Sequence, residues 1–172
     1  MTVEPWLQGP VPDVPAELQP AAHALLNARL DVRRITDDGI TDRELHARPG
    51  GAASVAFHYV HLDGALDRLL TYAAGHGLSE GQRGALAQES DGHALDALTP
   101  DAALSRVDSA LDAALDILRT TDPAVLGTAR SVGRAQLPST MRGLLFHAAE
   151  HTARHAGQAL TTFRIVRGTS GR

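Results

Sequence analysis

The chain has 172 residues, a formal net charge of −4 and no cysteine. That length is enough for one domain with its own core, and the acidic balance argues against a phosphate-binding surface and so against nucleic acid as a partner. Without cysteine there are no disulfides, thiolate zinc sites, iron–sulfur clusters or cysteine nucleophiles. Every basic residue is arginine, so lysine Schiff-base chemistry is excluded too.

Residues 1–15 carry Pro5, Pro10, Pro12 and Pro15 around Trp6 and Leu7. This reads as an extended lead-in, with Trp6 expected to pack on the body of the domain. The start has no basic stretch followed by an apolar run, so no signal peptide is read. No segment approaches the ~18 apolar residues that would span a membrane. The expectation is a cytoplasmic protein made of a single domain over 1–172.

From Glu17 to Asp37, Leu18, Ala21, Ala22, Leu25, Leu26, Leu30 and Ile35 recur at helical steps. Asp38 and Gly39 stop that first helix. Thr41 and Glu44 have capping-box spacing and predict a short helical turn before the break at Pro49 and Gly50. A second helix is expected from the N-cap Ser54 to Ala74, ended by Gly75. Residues 76–98 form a long connection, with another capping-box turn at Ser79 and Gln82. Thr99, Pro100 and Asp101 then open a third helix that reaches Arg119. Asp108, Asp112 and Asp116 fall on its polar side and read as a solvated face. Residues 124–138 connect to a fourth helix, Ser139 to Arg167. No strand is expected, although Arg130 to Leu137 could be extended. The fold class is therefore all-α: a four-helix bundle with a long crossover between its second and third helices and short extra helical turns.

His147, His151 and His155 recur every four residues along the fourth helix. Such spacing stacks side chains on one face, one turn apart. Two imidazoles so placed can share a metal ion. Stepping ~100° per residue from the centre of the helix's apolar face puts His155 ~40° away, His151 ~80° and His147 ~120°. His151 and His155 thus face the bundle or its rim. A facing helix must supply the remaining ligands, and the second helix offers His58 and His61. Periodicity places His58 deeper in the apolar face and slightly favours it. Three imidazoles from two helices would leave a coordination position open, as catalytic zinc sites do. The alternative is that these histidines line the rim and never converge.

His147 to His151 also matches the H-x-x-E-H pattern of inverzincin peptidases. Those enzymes take a third zinc ligand from a downstream glutamate, and no Asp or Glu follows Glu150 in this chain. Glu150 itself is predicted to face away from the apolar side. A peptidase is not expected.

Two segments, taken together, resemble the DinB/YfiT-like superfamily of bacterial four-helix bundles with a three-histidine metal site. Ser54 to Leu62, which contains His58 and ends in His61 and Leu62, is similar to the family's second-helix segment. His151, His155, Gly157 and Gln158 are similar to its fourth-helix motif. The resemblance implies His61, His151 and His155 as ligands of a divalent metal, zinc or nickel, and so favours His61 over His58. His58 would then be a fourth ligand or orient another ligand. It also implies a homodimer. Some members resemble transferases of low-molecular-weight bacterial thiols such as bacillithiol or mycothiol, and related maleylpyruvate isomerases use mycothiol. The activity implied is transfer of such a thiol to a small electrophilic substrate. The alternatives are a hydrolase using metal-bound water, and a non-enzymatic stress or metal-binding bundle.

Overall fold

The computed structural model describes residues 3–91, 95 and 97–170, apart from the side chains of 90, 91, 169 and 170. Part of the expected crossover (92–94 and 96) and both extreme ends of the chain lie outside the described residues. The helices are α1 (Gln19–Asp37), α2 (Asp42–His46), α3 (Val55–Ala73), α4 (Glu80–Asp91), α5 (Pro100–Thr120) and α6 (Met141–Ser170). The four long ones, α1, α3, α5 and α6, form the expected bundle.

Local signals set the helix boundaries. Ser54 and Thr99 cap α3 and α5 by accepting hydrogen bonds from the Phe57 and Ala102 amides. Thr41 and Glu44 form a full capping box at the start of α2. Gly75, at φ +87°, ends α3 in a Schellman motif: the Gly75 amide donates to the Tyr72 carbonyl at 2.9 Å and the His76 amide to that of Thr71 at 3.1 Å.

Side-chain contacts fix the direction of each helix. His58 meets His155 while Thr162 bonds the carbonyl of Ala53, so α3 and α6 run antiparallel. Arg29 pairs with Asp112 and Arg33 with Asp108, so α1 and α5 run antiparallel. Asp63 pairs with Arg106, and Ala74 lines a groove with Ile117, so α3 and α5 run parallel. A parallel pair needs a long return, and the crossover holding α4 provides it. The core between the helices is aliphatic, with Leu25, Val32, Leu66, Leu111, Leu145 and Phe163 all nearly inaccessible to solvent. Among the described residues, no helix is long and apolar enough to cross a membrane.

Four expectations need correction. The turn at Ser79 and Gln82 is the capped start of the twelve-residue helix α4. An antiparallel hairpin, β1 (Ala129–Val132) and β2 (Leu137–Thr140), occupies the stretch read as strandless, with Ala129 opposite Thr140 and Val132 opposite Leu137. Strands this short hold too few alternations to show a period, and Pro138 sits inside the second. Asp108 and Asp112 are not a purely solvated face, because they pair with arginines of α1. Trp6 is 56% exposed, with its indole N–H donated to Glu4 at 2.6 Å, while Pro5, Val11 and Val14 are the buried residues of the lead-in.

Candidate metal centre

The site forms on the seam between α3 and α6. Ser54 fixes where α3 begins and therefore the angular phase of everything after it. In that phase His58 and His61, three residues apart, project side by side toward α6. On α6, His151 and His155 project back from successive turns.

His61, His151 and His155 each offer a ring nitrogen, and those nitrogens all lie within 4.8 Å of one another. The Nε2 atoms of His61 and His151 are 2.9 Å apart. The His61 ring centroid is 4.4 Å from that of His155 and 5.0 Å from that of His151. His58 is deeper, 6% exposed, as its periodicity predicts. It does not join the three nitrogens. Its Nδ1 sits 3.1 Å from Nδ1 of His155, so one of those nitrogens carries a proton and the other accepts it.

His61 is held on two sides. Its ring stacks on Phe57, with centroids 5.5 Å apart and planes 7° from parallel. Its Nδ1–H donates to Glu89 Oε1. In a neutral imidazole this leaves Nε2 as a bare lone pair, aimed at His151. Arg68 donates to the other Glu89 oxygen at 3.1 Å. Burial works against the charge on Glu89. The hydrogen bond from His61 and the charge of Arg68 outweigh it, holding that carboxyl below its ordinary pKa.

Burial above all pushes the imidazoles of His58, His151 and His155 down to about 4. All three are neutral at pH 7 and keep a lone pair. A cation binds that form of histidine.

The geometry fits a metal ion. A tetrahedral site with metal–nitrogen bonds of about 2.0–2.1 Å spaces its ligand nitrogens roughly 3.3 Å apart, close to the 2.9 Å found between His61 and His151. An all-imidazole donor set suits zinc, nickel and their first-row neighbours. The side chain of His61 keeps 21% of its exposure, so the cluster is not sealed from solvent.

His147 stands apart, half exposed on the outer face, with Nδ1 3.5 Å from Glu150. Glu150 is engaged by Arg154 through both oxygens. The first half of the peptidase look-alike, His147 and Glu150, therefore lies on the outer face, and only His151 of that motif joins the cluster.

Sequence reasoning missed Glu89, Arg68 and the stacking role of Phe57. The structure shows why Glu89 reaches the seam. It lies two helical turns beyond Gln82, whose amide donates to Asp67 and Thr71 of α3. Residues seven apart share a helix face, so whatever faces α3 at Gln82 faces it again at Glu89.

The model of the DinB superfamily matches residues 24–159. The chain belongs to the DinB superfamily. That match runs from α1 into α6 and includes all three histidines whose nitrogens converge. No curated protein matches this DinB chain.

Proposed function

We propose that this DinB protein binds a divalent metal ion through His61, His151 and His155, and that it transfers a low-molecular-weight thiol to a small electrophile. The observation that carries the reading is the convergence of three imidazole nitrogens within 4.8 Å, on a seam still open to solvent. A bound divalent ion supplies Lewis acidity there and lowers the pKa of a thiol that reaches it.

The protein's own part is to bind, orient and exclude. α3 and α6 supply lone pairs from two directions. Phe57 and Glu89 keep the His61 ring in a single orientation. The chain has no cysteine, so the sulfur must arrive on a small molecule.

The acids near the cluster favour thiol transfer over hydrolysis. A metal lowers the pKa of a bound water by itself, and a general base within reach of that water adds to its activation. Glu89 has one oxygen on His61 and the other on Arg68, and Glu150 is committed to Arg154. A purely structural metal staple is favoured by four closed ligands, whereas His58 is turned onto His155 instead.

Two measurements test the proposal. Metal analysis of the purified protein and of the His151→Ala/His155→Ala variant comes first; equal metal in both removes the site. Thiol transfer to a model electrophile is then assayed with and without chelator. Activity that persists undiminished after the metal is stripped rules out metal-activated thiol chemistry.

A further inference from the structure

Among its described side chains, the crossover helix α4 reaches the metal centre through Glu89. Glu89 is the buried residue among its described side chains, at 8% exposure, while Leu86 is 37% exposed. Helices ordinarily dock by burying an apolar stripe. This one brings a carboxylate to the seam between α3 and α6. Burying an ionised carboxylate is costly unless its oxygens are matched by donors and counter-charge. Both oxygens of Glu89 are matched, one by His61 Nδ1–H and the other by the Arg68 guanidinium.

Room for this arrangement comes from the middle of α3. A Cβ on Gly64 would lie 2.7 Å from Arg68 Nη1 and 2.9 Å from Glu89 Oε2. Glycine inside a helix costs stability relative to alanine, so its presence here needs a reason, and the close approach of Glu89 and Arg68 supplies one. With side chains only 7% and 12% exposed, neither group can swing away freely.

We infer that Glu89 is the positioning residue of the metal centre: it accepts the hydrogen bond of His61 Nδ1–H and fixes that ring with bare Nε2 toward His151 and His155, and Gly64 is the opening that admits it. The inference rests on the triad reading proposed above. A carboxylate behind a ligating imidazole fixes its tautomer, restrains its ring and raises its basicity, and losing such a partner weakens metal affinity by about 10–100-fold.

The test uses the full-length chain and Co(II) as probe. Affinity is read by competition with a chromophoric chelator, and the ligand field from the Co(II) absorption spectrum. Glu89→Ala is expected to bind Co(II) about 10–100-fold more weakly, with an altered spectrum. Glu89→Gln retains an acceptor oxygen and is expected to recover part of that loss. Gly64→Ala leaves Glu89 in the chain but crowds it, and is expected to weaken binding in the same direction. Thermal melts confirm that each variant is folded at the assay temperature, and Glu89→Gln and Gly64→Ala carry the test if Glu89→Ala is not. Wild-type affinity and spectrum in the folded Glu89 and Gly64 variants overturn the inference, since Glu89 would then only fasten α4. His61→Ala separates the two levels: if it binds Co(II) as tightly as wild type, the triad itself is wrong.

Discussion

His58 and His155 face each other across the α3–α6 seam with their Nδ1 atoms 3.1 Å apart. Only one of the two nitrogens holds the shared proton. If His155 donates, its Nε2 is left bare for an ion, and His58 is the group that sets this tautomer. His58→Ala is therefore expected to bind one metal ion per chain, with affinity lowered about tenfold. His61→Ala is expected to lose the ion altogether. Metal titration of the two variants decides between the neighbours, and equal loss in both would make His58 a ligand.

Glu44 ties the short helix α2 to the end of the bundle. It accepts from the Thr41 amide at 2.8 Å, and Arg167 of α6 donates to it at 3.1 Å. The Thr41 amide chiefly, with Arg167 behind it, holds the Glu44 carboxyl below its ordinary value, against a smaller opposing effect of burial. A carboxyl with a depressed folded-state pKa contributes stability above its unfolded value of 4.5, and that contribution is lost as pH falls through the folded value. Glu44→Gln keeps the capping geometry but not the charge. It is expected to cost about 0.2–1 kcal/mol at pH 7. The gap from wild type should close below pH 4.5, as measured by denaturant melts at several pH values.

The bundle was legible because each long helix buries a stripe at three- and four-residue spacing, as Leu111, Leu115 and Leu118 do on α5. His151 and His155 were legible for the same reason, since one helix carries both. The choice between His58 and His61 was not. Periodicity measures depth, and His58 is indeed the deeper residue. Convergence depends instead on where a ring turns, and the His61 ring is turned by Phe57 and Glu89. Glu89 was hidden because α4 buries no apolar face among its described residues, so nothing in its pattern marks a side that touches the bundle. The hairpin was hidden by brevity.

Gly75 and Arg130 meet at the end of α3. Arg130 Nε donates to the carbonyl of Ala73 at 2.6 Å, and its guanidinium carbon would lie 3.6 Å from a Cβ on Gly75. A cation there is well placed against the negative end of the helix dipole. Gly75→Ala forces a side chain into the left-handed region, and is expected to cost about 1 kcal/mol. Arg130→Ala frees the hairpin from α3. Amide exchange at β1 and β2 should accelerate in that variant while exchange in the core helices does not.

An ion shared by His61, His151 and His155 joins α3 to α6, two helices that approach each other from distant parts of the chain. The unfolded chain does not hold these three nitrogens together, so the ion binds the folded state selectively. Selective binding stabilises by mass action, about 2.7 kcal/mol when free metal is 100 times its dissociation constant. Zinc or nickel titrated into chelator-stripped protein should therefore raise Tm progressively as the free ion increases. The same titration should leave His151→Ala/His155→Ala unmoved, because only one imidazole of the triad remains. Glu89→Ala should still respond, with its midpoint displaced to higher free metal. A Tm rise of equal size in wild type and in the double variant would place the ion somewhere other than this seam.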